Sequence, residues 1–160
     1  MRLTKTLLLL ACTLLLAACN NRPICDEQRT FAGDIWNRFT AENFDIAVSN
    51  INDYYHLDVT AAIDTARYRY DIVPLMVNLT SPGGEERQFY GVIQLKDKGR
   101  PRGEMVDGYR VVSGRLRSFF SFNHAGTHKM AISQTTSQYD LEGIHSLSLT
   151  VTRAKLDYDL

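Results

Sequence analysis

The sequence predicts an all-β fold, an antiparallel β-sandwich of about seven or eight strands. The first observation is alternation: from residue 44 onward, apolar and polar side chains exchange places with a period of two, which is typical of half-buried antiparallel strands. The second is punctuation, because turn-forming residues separate these runs at short, regular intervals. The third is size, since 142 of the 160 residues follow the leader segment discussed below. That length is sufficient for one domain with its own core.

The predicted strands can be placed in order along the chain. Each has apolar side chains on one face and polar ones on the other, and Gly-, Pro- or Asn-containing turns separate them. Pro74 lies inside one of the apolar runs, which predicts an edge strand or a bulge there. The predicted strands cover residues 57–63, 72–79, 89–95, 115–122, 129–133 and 147–152.

The first residues have the pattern of a bacterial lipoprotein signal peptide. Arg2 and Lys5 precede an apolar run over residues 7–16, and two alanines then lead to Cys19. The run is too short for a transmembrane helix, which needs about 20 apolar residues. We expect cleavage before Cys19 and attachment of a covalent diacylglycerol and an acyl chain, such as palmitate, to this cysteine. An ordinary secretory signal that ends near an incidental cysteine is the alternative.

This leader divides the chain into three predicted parts: a signal peptide (1–18), a lipidated cysteine with a tether (19–35) and a single sandwich domain (36–160). The acyl chains would hold the protein at a membrane. No Asp follows Cys19 directly and no acidic cluster comes after it. We therefore expect an outer-membrane anchor with the domain facing the periplasm. Cys25 falls in the predicted tether without an intrachain partner, so a free thiol or an intermolecular disulfide is expected.

The charge balance excludes one class of partner. The chain has 18 basic and 18 acidic residues, and loss of Arg2 and Lys5 with the signal peptide leaves a net charge of about −2. Because no basic stripe is present, a nucleic-acid partner is not expected.

No residue pattern predicts catalysis, so we expect neither an enzyme nor a bound metal or other cofactor. His124 and His128 have a metal-ligand spacing for a helix, but Gly126 lies between them and no Glu accompanies them. They are predicted to be polar residues at the tip of a hairpin. His56 and His145 alternate with apolar neighbours and are expected on the solvent face of strands. No serine lies in a nucleophile-elbow sequence.

Two surface features are candidate contact sites. The loop that contains Lys98, Arg100 and Arg102 is basic in a slightly acidic chain, so it could contact a partner or be an ordinary solvated loop. Tyr68 and Tyr70 alternate, so on one strand they would point the same way and could form a glycan-binding face. Packing in the sandwich core or at its rim is the alternative for these two rings.

Several segments together resemble the gliding-motility lipoprotein family GldH of Bacteroidetes. An aromatic strand and glycine turn at residues 122–128 are followed by Ile132-Ser133-Gln134 and then by Leu141-Glu142-Gly143-Ile144. Upstream, residues 95–99 resemble the family's Leu-x-Asp-x-x-Gly region, with one residue fewer before the glycine. The chain departs from the family at Thr136-Ser137, where Met-Arg is usual, so no recognition role is carried over to those positions.

The resemblance implies an outer-membrane lipoprotein without catalytic residues that supports gliding machinery, or envelope assembly or secretion in a non-gliding relative. Two functions therefore stand side by side. The first is a noncatalytic accessory protein of a cell-envelope complex, with protein partners from the gliding or secretion machinery. The second is an envelope lipoprotein that binds carbohydrate or peptidoglycan.

Overall fold

The computed structural model describes residues 22–155, which form an antiparallel β-sandwich as predicted. Cys19 and the predicted signal peptide lie outside the described residues, so lipidation stays a prediction. Within residues 22–155, no helix is long and apolar enough to cross a membrane.

The strands of the described chain are β1 (Cys25–Thr30), β2 (Ile35–Asn37), β3 (Glu42–Val48), β4 (Tyr54–Ile63), β5 (Ile72–Thr80), β6 (Glu86–Gln94), β7 (Lys96–Asp97), β8 (Arg100–Pro101), β9 (Glu104–Val106), β10 (Tyr109–Ser121), β11 (Gly126–Gln134), β12 (Asp140–Glu142) and β13 (Ile144–Arg153). One sheet has the order β1-β13-β4-β10-β9 and the other the order β3-β11-β5-β6. The two sheets therefore contain nine strands, slightly more than predicted. Two short pairs, β2 with β12 and β7 with β8, lie outside the sheets.

The core lies between the inner faces of the two sheets. Strand β4 shows the predicted alternation most clearly, since every second side chain from Tyr55 to Ile63 is at most 2% exposed. Strands β5 and β11 contribute matching rows of buried side chains from the opposite sheet. Strand β13, which lies beside β4 in the same sheet, contributes Leu147, Leu149 and Val151. Each fully buried aliphatic side chain contributes about 1.5–3 kcal/mol to stability. These alternating rows therefore fix which face of each strand is inside.

The two sheets approach each other closely along one side. There β10 packs beside β6, and a Cβ atom on Gly114 would lie 3.2 Å from the carbonyl oxygen of Val92. On the other side, the Arg29 guanidinium of β1 lies 4.8 Å from the centre of the Phe44 ring in β3 and donates a hydrogen bond to the Asn43 carbonyl. The two sheets therefore meet at Gly114 on one side, where only a small residue fits, and through the long cationic side chain of Arg29 on the other.

The strands run between two ends of the sandwich, which differ in what they carry. The end at which β1 begins, with Cys25 opposite Val151, is called the near end. The connections at the near end are residues 49–53, 81–85 and 122–125. The opposite end is called the far end. The connections at the far end are residues 31–41, 64–71, 95–103, 107–108 and 135–143.

The folded domain begins earlier than predicted. Residues 25–30 form edge strand β1, not a tether, and pair along their whole length with β13. The segment lacks apolar alternation because the inner face of this edge strand carries an ion pair between Glu27 and Arg29 (2.6 Å). The domain therefore starts at or before Cys25, and the boundary predicted at residue 36 is wrong.

Cys25 is part of the core. Its side chain is 5% exposed, and burial raises the pKa of its thiol to about 11, with Glu27 and Asp26 adding to the rise. The thiolate is the species that forms disulfides. A buried, protonated thiol does not suit the intermolecular disulfide that the sequence left open.

Pro74 does not mark an edge strand. Strand β5 has β11 on one side and β6 on the other, and Pro74 pairs with Val92 of β6. The last pair between β11 and β5 joins Gln134 to Leu75, so β11 has ended where the proline nitrogen faces it. The missing N–H therefore breaks no ladder hydrogen bond.

Candidate functional site

The far end contains a partly enclosed pocket of about 330 Å³. It lies where the connection 64–71 meets the β7–β8 hairpin and the start of β10. Ile63 and Leu95 are buried and give the pocket an apolar floor. Tyr68 and Tyr70 line it, and the charged residues beside them are Arg69, Asp71, Lys96 and Arg110.

The connection 64–71 is a turn fixed by its first residue. The Asp64 carboxylate accepts a hydrogen bond from the Ala66 N–H (2.9 Å), and the Asp64 carbonyl accepts one from the Tyr68 N–H (2.9 Å). Asp favours turns because its side chain can bond backbone two residues further on. Gly143 has a φ of +87°, and a Cβ atom there would lie 2.6 Å from the Tyr68 nitrogen. Only glycine gives this turn room to pack.

The predicted tyrosine face is not formed, because the two residues lie in this turn region and not on a strand. Tyr68 is 6% exposed, and its hydroxyl donates a hydrogen bond to the Ile72 carbonyl (2.7 Å). Burial raises the pKa of Tyr68. Tyr70 is 45% exposed, and its ring centre lies 5.5 Å from that of Tyr68 in an edge-to-face pair. Tyr68 therefore packs beneath Tyr70 as part of the fold, and only the Tyr70 ring of this pair remains available for contacts.

The predicted basic loop is a tight hairpin between β7 and β8. Lys98 and Gly99 at its tip have φ values of +48° and +77°, the left-handed conformation that two-residue hairpin turns favour. Lys98 and Arg100 are exposed, and Arg102 donates to the Gln94 carbonyl (3.3 Å). Pro101 of this hairpin lines the same pocket as Tyr70. The structure thus brings the two predicted contact regions together.

The charges around the pocket are unbalanced. Lys96 pairs with Asp71 at 2.6 Å between Nζ and Oδ1. Among residues 22–155, neither Arg69 nor Arg110 forms an ion pair or a side-chain hydrogen bond. Two guanidinium groups are thus left without an anion at the edge of a partly enclosed space.

Sequence reasoning missed an aromatic pair that lies near this pocket. Phe39 and Tyr139 are 76% and 65% exposed, and their ring centres are 5.6 Å apart. The Arg38 guanidinium lies 5.8 Å and 5.7 Å from the two ring centres. The hydrogen bond from the Arg38 N–H to the Tyr139 carbonyl and the β2–β12 pairing hold the two segments together. No alternation marks these short elements, and their pairing is visible only in the fold.

Tyr70 links this aromatic pair to the pocket. A second groove of about 280 Å³ contains Arg69, Tyr70 and Gln138, the residue that precedes Tyr139. The far end therefore presents a set of exposed aromatic and cationic side chains, beside which the carboxylates of Asp140 and Glu142 line the second groove. We call it the aromatic-arginine surface: Arg38, Phe39, Arg69, Tyr70 and Tyr139.

A polar network on the five-stranded sheet holds the segment that leads to this surface. His145 Nδ1 and Asp34 Oδ1 are 2.7 Å apart, and the Tyr109 hydroxyl donates to Asp34 Oδ2 (3.2 Å). The Tyr109 and His145 rings stack at 4.1 Å. The pKa of Tyr109 is raised by burial and by its hydrogen bond to Asp34. Among residues 22–155, no group of three His, Cys, Asp or Glu side chains could hold a metal ion.

His128 is not the polar hairpin residue that was predicted. It is fully buried, with its ring centre 4.7 Å from that of Phe122, and neither ring nitrogen has a hydrogen-bond partner among the described residues. Burial lowers the pKa of His128. The signal was in the sequence, because His128 continues the inward phase of Met130 and Ile132.

Fold and site together define a β-sandwich domain with a group of exposed aromatic and cationic residues at one end. A model of the GldH lipoprotein family matches residues 23–151. The chain belongs to the GldH lipoprotein family, as its resemblance predicted. It is therefore a membrane-anchored lipoprotein of the cell envelope.

Two solved structures are similar to the chain at low levels. One is a carbohydrate-binding module, CBM28, specific for non-crystalline cellulose, with a TM-score of 0.44 and 14% identity over 80% of this chain and 73% of that one. The other is the CBM22-1–GH10 part of a Clostridium thermocellum xylanase, with a TM-score of 0.25 and 14% identity over 86% of this chain and 26% of that one. At these values neither bears on what this chain binds. No curated protein matches the sequence.

Proposed function

We propose that this lipoprotein is a noncatalytic accessory protein of a gliding-associated envelope complex, held at the outer membrane with its domain in the periplasm. The observation that supports this most is the separation of the two ends. Five residues lie between Cys19 and Cys25, and an extended chain between these two cysteines spans at most about 20 Å. A lipid on Cys19 would keep the near end beside the bilayer and direct the far end away from it.

The composition of the far end favours a protein partner. Aromatic residues and arginine carry most of the binding energy at protein interfaces, and lone exposed rings contribute little to folding. Within residues 22–155, seven of the twelve exposed large hydrophobic side chains lie in or beside the far-end connections. They are Ile35, Phe39, Tyr70, Ile72, Met105, Val106 and Tyr139. The hairpin residues Lys98, Arg100 and Arg102 would enlarge the same surface.

The test is crosslinking in intact cells, followed by affinity purification of the tagged protein. We expect specific capture of gliding or secretion proteins by the wild type, and its loss in Cys19→Ala. A Phe39→Ala/Tyr139→Ala variant should stay in the membrane fraction but lose the partner. Ile51→Ala is the matched control, because Ile51 is an exposed apolar residue (48%) at the near end. Equal capture by the far-end variant and the wild type would contradict the proposed surface.

Charge reversal of the hairpin tests its part separately. Lys98→Glu, Arg100→Glu and Arg102→Glu together should weaken capture, because the hairpin that carries these cations places Pro101 in the far-end pocket. Unchanged capture would show that the hairpin is not part of the interface, without affecting the role of the aromatic pair.

A second candidate function is binding of carbohydrate or peptidoglycan, which the exposed ring of Tyr70 beside the pocket supports. Purified lipidated protein would be tested for retention on peptidoglycan sacculi and on a glycan array. Tyr70→Ala should abolish retention without unfolding the domain. Tyr68→Ala cannot serve here, because this buried ring supports the fold. If the wild type is retained on no glycan, this candidate function is contradicted.

A further inference from the structure

We infer that the far-end pocket binds a carboxylate of the partner protein, within an acidic peptide segment that places Asp or Glu next to an apolar residue. This inference rests on the proposed function, because the peptide belongs to the envelope partner. It adds a defined ligand chemistry and the residues that recognise it.

Charge is the first argument. The pocket is lined by three cationic side chains and one carboxylate, and Asp71 is already paired with Lys96 at 2.6 Å. Arg69 and Arg110 have no anionic partner among the described residues. A guanidinium presents a planar set of donors that fits a carboxylate, often through two parallel hydrogen bonds. The two free arginines are therefore placed to receive one incoming carboxylate.

Shape is the second argument. A volume of about 330 Å³ lies at the lower limit of ligand pockets, which suits one or two amino-acid residues and not a folded element. Ile63, Leu95 and Pro101 provide apolar surface for a neighbouring side chain. Tyr68 is fixed through its hydrogen bond to the Ile72 carbonyl, so this wall is preformed.

The donor balance favours a peptide carboxylate over a sugar. Sugar hydroxyls both donate and accept hydrogen bonds, whereas arginine and lysine side chains only donate. The one carboxylate in the pocket, that of Asp71, is engaged by Lys96. In addition, Tyr68 is buried and leaves Tyr70 as the single ring on which a sugar could stack. A carboxylate satisfies this set of donors without needing an acceptor in return.

The probe is a display library of random heptapeptides, selected on the full lipidated protein in non-ionic detergent. We expect the wild type to enrich peptides with Asp or Glu beside an apolar residue. Arg69→Gln/Arg110→Gln should abolish this enrichment. Lys129→Gln is the matched control, because Lys129 is an exposed cation on β11, outside the pocket. Thermal unfolding of each variant would confirm that it folds.

The affinity of one selected peptide gives the quantitative test. The double variant should bind it at least tenfold more weakly, and raising the salt concentration should weaken wild-type binding. Selection of peptides without acidic residues, or equal enrichment by the double variant, would overturn the inference. Arginine-dependent binding of oligogalacturonate in place of peptides would also overturn it, in favour of an acidic glycan.

The two proposals fail in different ways. If cells yield the same captured partner with the double variant as with the wild type, the pocket has no carboxylate role but the accessory function stands. If no partner is captured at all, the accessory function fails, even where library peptides bind the pocket.

Discussion

The near and far ends of this sandwich are built from the same strands, but each end has one aromatic cluster that contrasts with that of the other. At the near end, Tyr55, Phe122 and His128 pack against one another inside the core. At the far end, the Phe39 and Tyr139 rings contact each other at a tilt while exposed to solvent. Buried rings stabilise the fold, whereas exposed rings gain little for folding. The comparison indicates that the near-end cluster stabilises the domain, whereas the exposed far-end pair is available for recognition.

The largest expected effect tests whether the far end depends on a tight backbone contact. Gly143→Ala would place a methyl group 2.6 Å from the Tyr68 nitrogen at a φ of +87°. Strain at such a φ and the forced backbone shift should together lower the free energy of unfolding by about 3 kcal/mol. Urea unfolding of the variant measures this loss.

The near end offers a matched control for this substitution. Gly84 has nearly the same φ (+86°), but no atom lies within 4 Å of the position of an added Cβ. Gly84→Ala should therefore cost only about 1 kcal/mol, the conformational part alone. Equal losses at both positions would show that the contact with Tyr68 is not what fixes the far end.

The second prediction concerns how readily a thiol reagent reaches Cys25 at the near end. A pKa raised by two units, to about 11, leaves roughly 100-fold less thiolate on Cys25 at neutral pH, and burial slows reaction further. We expect maleimide to label Cys25 in urea but hardly at all in the native protein. A Cys25→Ala/Ser137→Cys variant, with its thiol at the exposed far end, should label rapidly. Fast native labelling of Cys25 would contradict a closed near end.

The third prediction is a pH dependence that originates at the near end. Burial lowers the pKa of His128, with Arg87 and His124 acting in the same direction. The unfolded chain therefore takes up this proton first as the pH falls. The contribution of neutral His128 to the free energy of unfolding is fully present above about pH 6.5. Below that pH it declines by on the order of 1 kcal/mol per pH unit until the folded-state pKa is reached.

His128→Leu isolates this term from the other titrating groups. Urea unfolding at pH 7 and at pH 5.5 should show a smaller loss for the variant than for the wild type. An equal loss of unfolding free energy in both proteins would mean that protonation of His128 does not destabilise the folded state.

The smallest effect belongs to the far-end pocket. The Lys96–Asp71 pair is mostly exposed, and such pairs contribute less than about 1 kcal/mol. Asp71→Asn should therefore leave thermal unfolding almost unchanged. The same change removes the one carboxylate of the pocket and should tighten binding of a selected acidic peptide severalfold. Weaker binding would indicate that Asp71 itself contacts the ligand.

The sandwich was predictable where burial imposes alternation. The inner rows of β4 and β5 lie as the pattern indicated, and even His128 follows the phase of its strand. Strand β1 was missed because an edge strand can place the Glu27–Arg29 pair on its inner face. The tyrosines were misplaced because Asp64 starts a turn where the alternation had suggested a strand.

The candidate site was predictable only in its parts. The basic hairpin and Tyr70 were both identified, but their meeting at one pocket depends on how connections far apart in sequence converge. The Phe39–Tyr139 pair depends in the same way on β2 and β12, which are separated by about a hundred residues and have no periodic pattern. Long-range pairing of short segments leaves little signal in a single sequence.

The length of β13 sets how far from the membrane the far end of the proposed lipoprotein would lie. This strand runs from the far end to the near end over ten residues, a rise of about 33 Å. The five residues between Cys19 and Cys25 add between zero and roughly 20 Å. The partner would then be met in a band about 30 to 55 Å from the lipid surface. The domain would act as a spacer, and only proteins that extend into that layer of the envelope could be engaged.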